Sequence, residues 1–142
     1  MKKALMLFVS AMLGMALFGC QSPQNGEGGV KMTAVSGTVA YRQFIALPDN
    51  ALVTVTLKDI SLADAPATVI AKHRFETGGT QVPFKFDLAF DPRKIKPHHT
   101  YSVSARIEVD GQLRFISDTV YPVITDQNQT SHVDLVLVGV SH

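Results

Sequence analysis

The chain has 142 residues, with 13 basic and 12 acidic side chains and a net charge of +1. That length is enough for one domain with a packed core, and a near-neutral balance is not typical of nucleic-acid-binding proteins, which carry a basic surface. Because Cys20 is the only cysteine, no disulfide within the chain is available to stabilise the fold.

The first twenty residues have the layout of a secretory signal peptide that ends at a cysteine. Lys2 and Lys3 give a positive start, residues 4–18 are uncharged, and Gly19 is the small residue before Cys20. The uncharged run is shorter than the roughly 20 residues of a membrane-spanning helix. A cysteine after a small residue is similar to the lipobox of bacterial lipoproteins. We predict a lipoprotein signal peptide at 1–19; the alternative is a secreted protein with an incidental cysteine.

Lipidation of Cys20 determines the predicted location of the mature chain. The thiol would receive S-diacylglycerol and the new N-terminus an acyl group such as palmitate, and two or more acyl chains are enough for stable attachment to a membrane. Gln21 follows where an aspartate typically retains a lipoprotein at the inner membrane. We therefore expect the periplasmic face of the outer membrane of a Gram-negative bacterium, rather than the inner membrane.

Removal of the signal peptide alters the charge and leaves a polar N-terminal stretch. Without Lys2 and Lys3, 11 basic residues stand against 12 acidic ones, a net charge of −1. Residues 21–31 are rich in Gly, Ser, Gln and Pro, a composition typical of a flexible tether. We therefore predict a lipidated N-terminus and linker at 20–32 and a folded domain at 33–142.

From residue 33 onward the apolar residues recur with a period of two. One apolar and one polar face is typical of antiparallel strands over a core. Alternating or β-branched segments are predicted as strands at 33–42, 53–58, 67–77, 82–90, 101–109, 113–121 and 133–138. Turn residues separate them, and at most one helical turn is expected, at 91–95. The pattern predicts an all-β domain, a single antiparallel β-sandwich of about seven to eight strands.

The hairpin around Asp110 and Gly111 allows a prediction of register. A two-residue loop would pair Ile107 with Arg114 and turn Phe115 away from the core. A loop of odd length brings Ile107 and Phe115 onto the same face. We predict a three-residue turn, with Gly111 left-handed in a β-bulge.

The aromatic stripe in segment 82–90 is the first candidate for partner binding. Phe84 and Phe86 alternate with polar residues, which indicates either a core strand or a partly exposed apolar face that docks a partner. Pro83 near the start of the segment favours an edge strand, and an edge strand can accept a partner segment by β-augmentation.

The second candidate is the most basic segment of the chain, residues 93–99. Arg93, Lys94 and Lys96 are either part of a solvated loop or a contact with lipid headgroups or an acidic partner. Neither candidate resembles an enzyme site.

Motifs for catalysis or cofactor binding are absent from the sequence. There is no Gly-x-Ser-x-Gly elbow, phosphate-binding loop, dinucleotide fingerprint or His-Glu-x-x-His pair. His98 and His99 are adjacent and would point to opposite sides of an extended chain. We expect no catalytic residues, cofactor, metal or small-molecule substrate.

Several segments together resemble the YbaY-type lipoproteins, which are grouped with the YscW-like lipoprotein chaperones, or pilotins, of type III secretion. The resemblance is carried by residues 35–42, 45–48, 53–57, 59–67, 81–84, 101–107, 110–111 and 117–119. It implies a β-sandwich and a lipid anchor. Pilotins hold the terminal segment of a secretin subunit and carry it to the outer membrane.

These observations favour a non-enzymatic binding or chaperone module, anchored in the outer membrane by Cys20, with a secretin-like or other envelope protein as partner. One alternative is a structural or stress-related envelope lipoprotein with no discrete client. The other is an enzyme that acts on cell-wall or glycan material, which would require a concave site with convergent polar side chains.

Overall fold

The computed structural model describes residues 33–141, which form a curled sheet of eight strands. The predictions for the signal peptide, Cys20 and the tether concern residues outside this range. The strands are β1 (Thr33–Tyr41), β2 (Leu52–Asp59), β3 (Thr68–Glu76), β4 (Phe84–Phe90), β5 (Tyr101–Val109), β6 (Gln112–Ile116), β7 (Pro122–Val123) and β8 (His132–Gly139). A 3₁₀ turn at Pro92–Lys94 is the one helical element of the described part, in agreement with the turn predicted there.

The strand order is β3-β2-β5-β6-β8-β1-β4, with β7 paired to the start of β5. All neighbouring pairs are antiparallel except β1 and β8, which are parallel. Only two residue pairs join β6 to β8, so the sheet divides into a three-stranded and a larger part that face each other. The all-β prediction is confirmed. In detail, the strands form one nearly closed, barrel-like sheet, whereas a β-sandwich has two separate sheets.

The outer edges of the sheet, β3 and β4, meet through side chains instead of a ladder. The Asp87 backbone N–H donates to Nδ1 of His73 at 3.2 Å, and the ring of Phe75 packs edge-on against Phe84 with centroids 6.3 Å apart. The prediction that the strand after Pro83 is an edge strand is therefore confirmed.

Inward-facing residues of every long strand except β3 form one core. In β4 the alternation is strict, with every second side chain buried. The Tyr41 and Phe115 rings stack with centroids 4.2 Å apart. Burial of each large apolar side chain contributes about 1.5–3 kcal/mol. The largest fully buried residues are Tyr101, Phe115, Leu57, Leu88, Ile107, Leu135, Val35, Val39, Val53, Val55, Val103 and Val123.

The hairpin at Asp110 and Gly111 differs from the predicted one, and the prediction of a three-residue turn is wrong. Val109 pairs with Gln112, so the loop has two residues, and their φ angles of 50° and 82° have the signs of a type I′ turn. The register shift lies further along, beyond the Glu108–Leu113 pair, where Arg114 is the extra residue. Ile107 still opposes Phe115 as predicted, but a bulge in β6 and not a three-residue turn brings them together.

The segment predicted as a strand at 113–121 is shorter in the structure. β6 ends at Ile116, and Ser117 then turns its hydroxyl onto the backbone of Ala105 in β5, accepting from its N–H at 3.1 Å. The chain then crosses to β7, whose Val123 pairs with Tyr101. The Ser117 hydroxyl thus takes the place of a backbone acceptor, while the Ser117 N–H still donates to the Ala105 carbonyl at 3.0 Å.

Strand directions define two ends of the barrel. We call the end at which β1 begins the lower end; it also carries the loops 60–67, 91–100 and 124–131. The upper end carries the loops 42–51, 77–83 and 110–111. Within residues 33–141 no helix has the length and hydrophobicity of a transmembrane span.

Candidate partner-binding surfaces

Phe84 and Phe86 lie in the core, where each is 3% exposed. The core interpretation of the aromatic stripe is confirmed. The prediction that Phe84 and Phe86 contact a partner is wrong, because the alternation of β4 turns Lys85 and Asp87 toward solvent and the phenylalanines inward. Cys20, the predicted lipid attachment site, precedes the described residues, so its lipidation stays a prediction.

Arg93, Lys94 and Lys96 lie together in the loop 91–100 at the lower end. Asp91 caps the 3₁₀ turn by accepting from the Arg93 backbone N–H at 2.9 Å, and its carboxylate also binds the Arg93 guanidinium at 2.8 Å. These bonds to Arg93 lower the pKa of Asp91. Lys94 and Lys96 are exposed and form no ion pair with any other residue between 33 and 141. The loop therefore presents two unpaired cations to solvent.

An apolar groove of about 380 Å³ opens at the lower end, beside this loop. It lies where β1 begins and β4 ends, and the loop 124–131 closes its far side. Its apolar walls are contributed by Val35, Phe90, Pro92, Ile95, Pro97 and Ile124. A concave apolar surface with a polar rim is a typical binding site for an apolar ligand or segment.

The backbone of Ile124, in the groove wall, is in an unusual conformation. Its φ angle is 67°, in the left-handed region that β-branched residues rarely adopt. Asp126 maintains the loop by accepting from both the N–H and the hydroxyl of Thr130, at 2.8 and 2.6 Å, and the hydroxyl bond in particular lowers the pKa of Asp126. Conformations of this kind persist where the surroundings enforce them and cluster at binding sites.

A second contact joins the basic loop to the end of β2. His99 Nδ1 lies 2.6 Å from Oδ2 of Asp59, and Ser61 donates to the other carboxylate oxygen from its hydroxyl at 2.6 Å and its N–H at 3.0 Å. The Ser61 hydroxyl and then His99 lower the pKa of Asp59 from 3.8 to about 2. The pair therefore fixes the loop 91–100, and with it one wall of the groove.

Replacing Asp59 by asparagine is expected to lower the free energy of unfolding by about 1 kcal/mol near neutral pH, because charge-assisted hydrogen bonds are lost. Since folding lowers the pKa of Asp59 from 3.8 to about 2, its stabilising contribution is present above 3.8 and is lost as pH falls toward 2. Urea midpoints at about pH 5 and about pH 2.5 should show the gap between variant and wild type closing at the lower pH.

Asp64→Asn is the matched control, since Asp64 lies in the adjoining loop without a hydrogen bond or ion pair to another described residue. If the urea midpoints of Asp59→Asn and wild type differed by the same amount at both pH values, the pH-dependent stabilisation would not come from Asp59.

The groove was not predicted from the sequence. Ile95 lies between two lysines and Ile124 in a turn-rich segment, so neither belongs to an apolar pattern. Pro92 indicated a turn, and Pro97 was part of the basic segment 93–99. Of the predicted partner-binding residues, Arg93, Lys94 and Lys96 lie in the loop that contributes Ile95 to the groove, but they do not line it. Lys94 and Lys96 border a separate recess beside Asp59 and His99, and Phe84 and Phe86 lie in the core.

The family model of the type III secretion system lipoprotein chaperone (YscW) matches residues 30–137. The chain belongs to the YscW family. This match confirms the resemblance found in the sequence, and it identifies a family of lipoprotein chaperones rather than of enzymes. Among residues 33–141, no three His, Cys, Asp or Glu side chains gather in a way that would hold a metal ion.

Two relatives support membership of the YscW family. The uncharacterised lipoprotein YbaY of Escherichia coli strain K12 is 49% identical over 111 residues, which are 78% of this chain and 57% of YbaY. The match thus spans less than two thirds of that relative's length. The structure of an alternative pilotin from the type II secretion system of Vibrio cholerae is 65% identical with a TM-score of 0.78, and covers 79% of this chain and 100% of that one.

Proposed function

We propose that this member of the YscW family is an outer-membrane lipoprotein that acts as a pilotin-like chaperone for an envelope protein. Family membership and 65% identity to an alternative pilotin support the role. The client would be a secretin-like subunit, whose terminal segment is held while it is carried to the outer membrane. Cys20 would anchor the complex, and Gln21 in place of aspartate supports the outer membrane as the destination.

The apolar groove at the lower end is the observation that carries this proposal. Its half-buried isoleucines, Ile95 and Ile124, pack against the edge of the core and line the groove together with Pro92 and Pro97. Such a surface can take apolar side chains of a client segment without opening the barrel. Because β1 begins at the groove rim with Thr33, and 13 residues span at most about 45 Å, a bound segment would be kept close to the lipidated residue.

Ile124→Asp is expected to reduce co-purification of the secretin subunit by about tenfold or more, since a charge in the groove would oppose apolar contacts. Aspartate accepts the left-handed backbone of this position better than isoleucine, so the loop should keep its shape. The measurement is recovery of the secretin subunit with tagged lipoprotein from solubilised envelopes, together with the amount of secretin multimer in the outer-membrane fraction.

Phe44→Asp provides the control at the upper end, where Phe44 is fully exposed, with a relative accessibility of 103%. This variant should recover as much secretin subunit as the wild type. Equal recovery by all three proteins would reject the groove as the client site. Failure of wild type to recover any secretin subunit would favour an envelope lipoprotein without a discrete client.

A further inference from the structure

The outer face of β2, β3 and β5 carries a concentration of cations that the proposed function does not use. Register places Thr54 of β2 between Arg74 of β3 and Arg106 of β5. One row lower, Thr56 lies between Lys72 and Ser104, and Lys58 follows in the next row. We call Lys58, Lys72, Arg74 and Arg106 the cationic face.

This face is a trough rather than a flat sheet. Thr54 and Thr56 point away from the core, yet each is only 8% exposed, because longer side chains rise around them. The enclosed volume is about 340 Å³. Ile116 and Ser117 border the trough on the β6 side and Val69 on the β3 side, and no carboxylate lines it. The surface therefore has polar groups at its floor and cations on its walls.

Most donors in the trough have no partner within the described domain. Lys58 and Lys72 form no ion pair there, and the hydroxyls of Thr54, Thr56 and Ser104 take part in no hydrogen bond to residues 33–141. By contrast, the Ser117 hydroxyl just outside the floor is bonded to Ala105. A row of unpaired cations above unpaired hydroxyls is suited to binding oxyanions.

On the same side of the sheet, the acidic residues of β2, β3 and β5 lie at the upper end. Glu76 and Glu108 both oppose Leu52, one row above the arginines, and Glu108 binds Arg106 at 3.0 Å. Charge along the trough therefore changes from negative at the upper end to positive in the middle and below. This pattern complements a segment whose own negative charges lie toward the lower end.

We propose that the trough binds an extended acidic segment of a partner protein, with carboxylates at alternate positions. Alternate side chains of an extended chain are about 6.7 Å apart, which matches the spacing of the three rows that carry Arg74 and Arg106, then Lys72, then Lys58. The trough runs along the side of the barrel and is concave, so a single chain fits it better than a bilayer surface does. It is separate from the groove and stands whether or not the groove binds a client.

The test is fluorescence anisotropy with a labelled dodecapeptide of alternating glutamate and serine, titrated with the full mature lipoprotein in neutral maltoside micelles. Binding should weaken as salt is added, and a lysine–serine counterpart should not bind. The double variant Lys58→Ser with Lys72→Ser should bind the acidic peptide about tenfold more weakly. The matched double variant Lys94→Ser with Lys96→Ser carries the same charge change at the lower end and should bind like wild type.

Three results would overturn the proposal. They are no binding of the acidic peptide by the wild type, equal weakening in both double variants, and displacement of the peptide from the wild type when the micelles contain phosphatidylglycerol. Recovery of the secretin subunit, measured on the same variants, tests the proposed function independently of peptide binding. Peptide binding that fails while secretin recovery persists would reject only the trough.

Discussion

Replacing Gly37 by alanine is expected to leave little folded domain. A Cβ atom at this position would lie 1.7 Å from the carbonyl oxygen and 2.7 Å from the carbonyl carbon of Val133. Gly37 lies in the middle of β1, paired with Phe86 in β4 on one side and with Val133 in β8 on the other. Neither neighbour can yield without breaking a ladder.

The expected loss in the free energy of unfolding is more than about 4 kcal/mol, which is a large part of the total stability of a single domain. Urea unfolding followed by circular dichroism measures it, and the amount of the variant that accumulates in the envelope should fall in parallel.

Gly78→Ala is the matched control for this prediction. Gly78 has a φ angle of 56°, and a Cβ atom there would meet nothing within 4 Å. The substitution should cost about 1 kcal/mol, from backbone conformation alone. If Gly37→Ala were no more destabilising than Gly78→Ala, the close parallel approach of β1 and β8 would be disproved.

Replacing Cys20 by serine is expected to abolish attachment of the chain to the outer membrane. A hydroxyl group cannot replace the thiol in the predicted thioether to a diacylglyceryl group. Each buried CH₂ of an acyl chain contributes about 0.8 kcal/mol, so loss of the chains removes nearly all of the membrane affinity. Palmitate labelling should disappear.

Cell fractionation provides a second measurement beside palmitate labelling. We expect the Cys20→Ser protein in the soluble periplasmic fraction or held as an uncleaved precursor, and in neither case in the outer membrane. Ser22→Ala, two residues further on, should keep both label and location. Outer-membrane retention of Cys20→Ser that resists a salt wash would show that something other than the lipid anchors the chain.

The strands could be predicted because each carries its own burial pattern. In β4 the alternation of phenylalanine and leucine with polar residues determines which side faces inward, and a slip of one residue would expose the whole apolar set. The capped turn after Asp91 was likewise predictable, because aspartate before proline has a local preference for a helical start. Such signals act over a few residues.

The hairpin at Asp110 shows where local prediction fails. The parity of the pairing required one extra residue, but both a longer turn and a bulge at Arg114 satisfy that requirement. Asp-Gly strongly favours the two-residue turn, and the bulge was then placed by the packing of Phe115 against Tyr41 on β1. The turn type is therefore a local choice, whereas the bulge lies where Phe115 contacts a residue about seventy positions away.

By itself the sequence determined the all-β class, most strand positions, the turns between them and the family, because these follow from side-chain periodicity, turn chemistry and residue identity. The parallel pairing of β1 with β8, the near closure of the barrel, the groove around Ile124 and the cationic trough over Thr56 depend instead on tertiary packing. Each of these brings together segments far apart in the chain, and such contacts depend on how strands pack and curl, which no local pattern encodes.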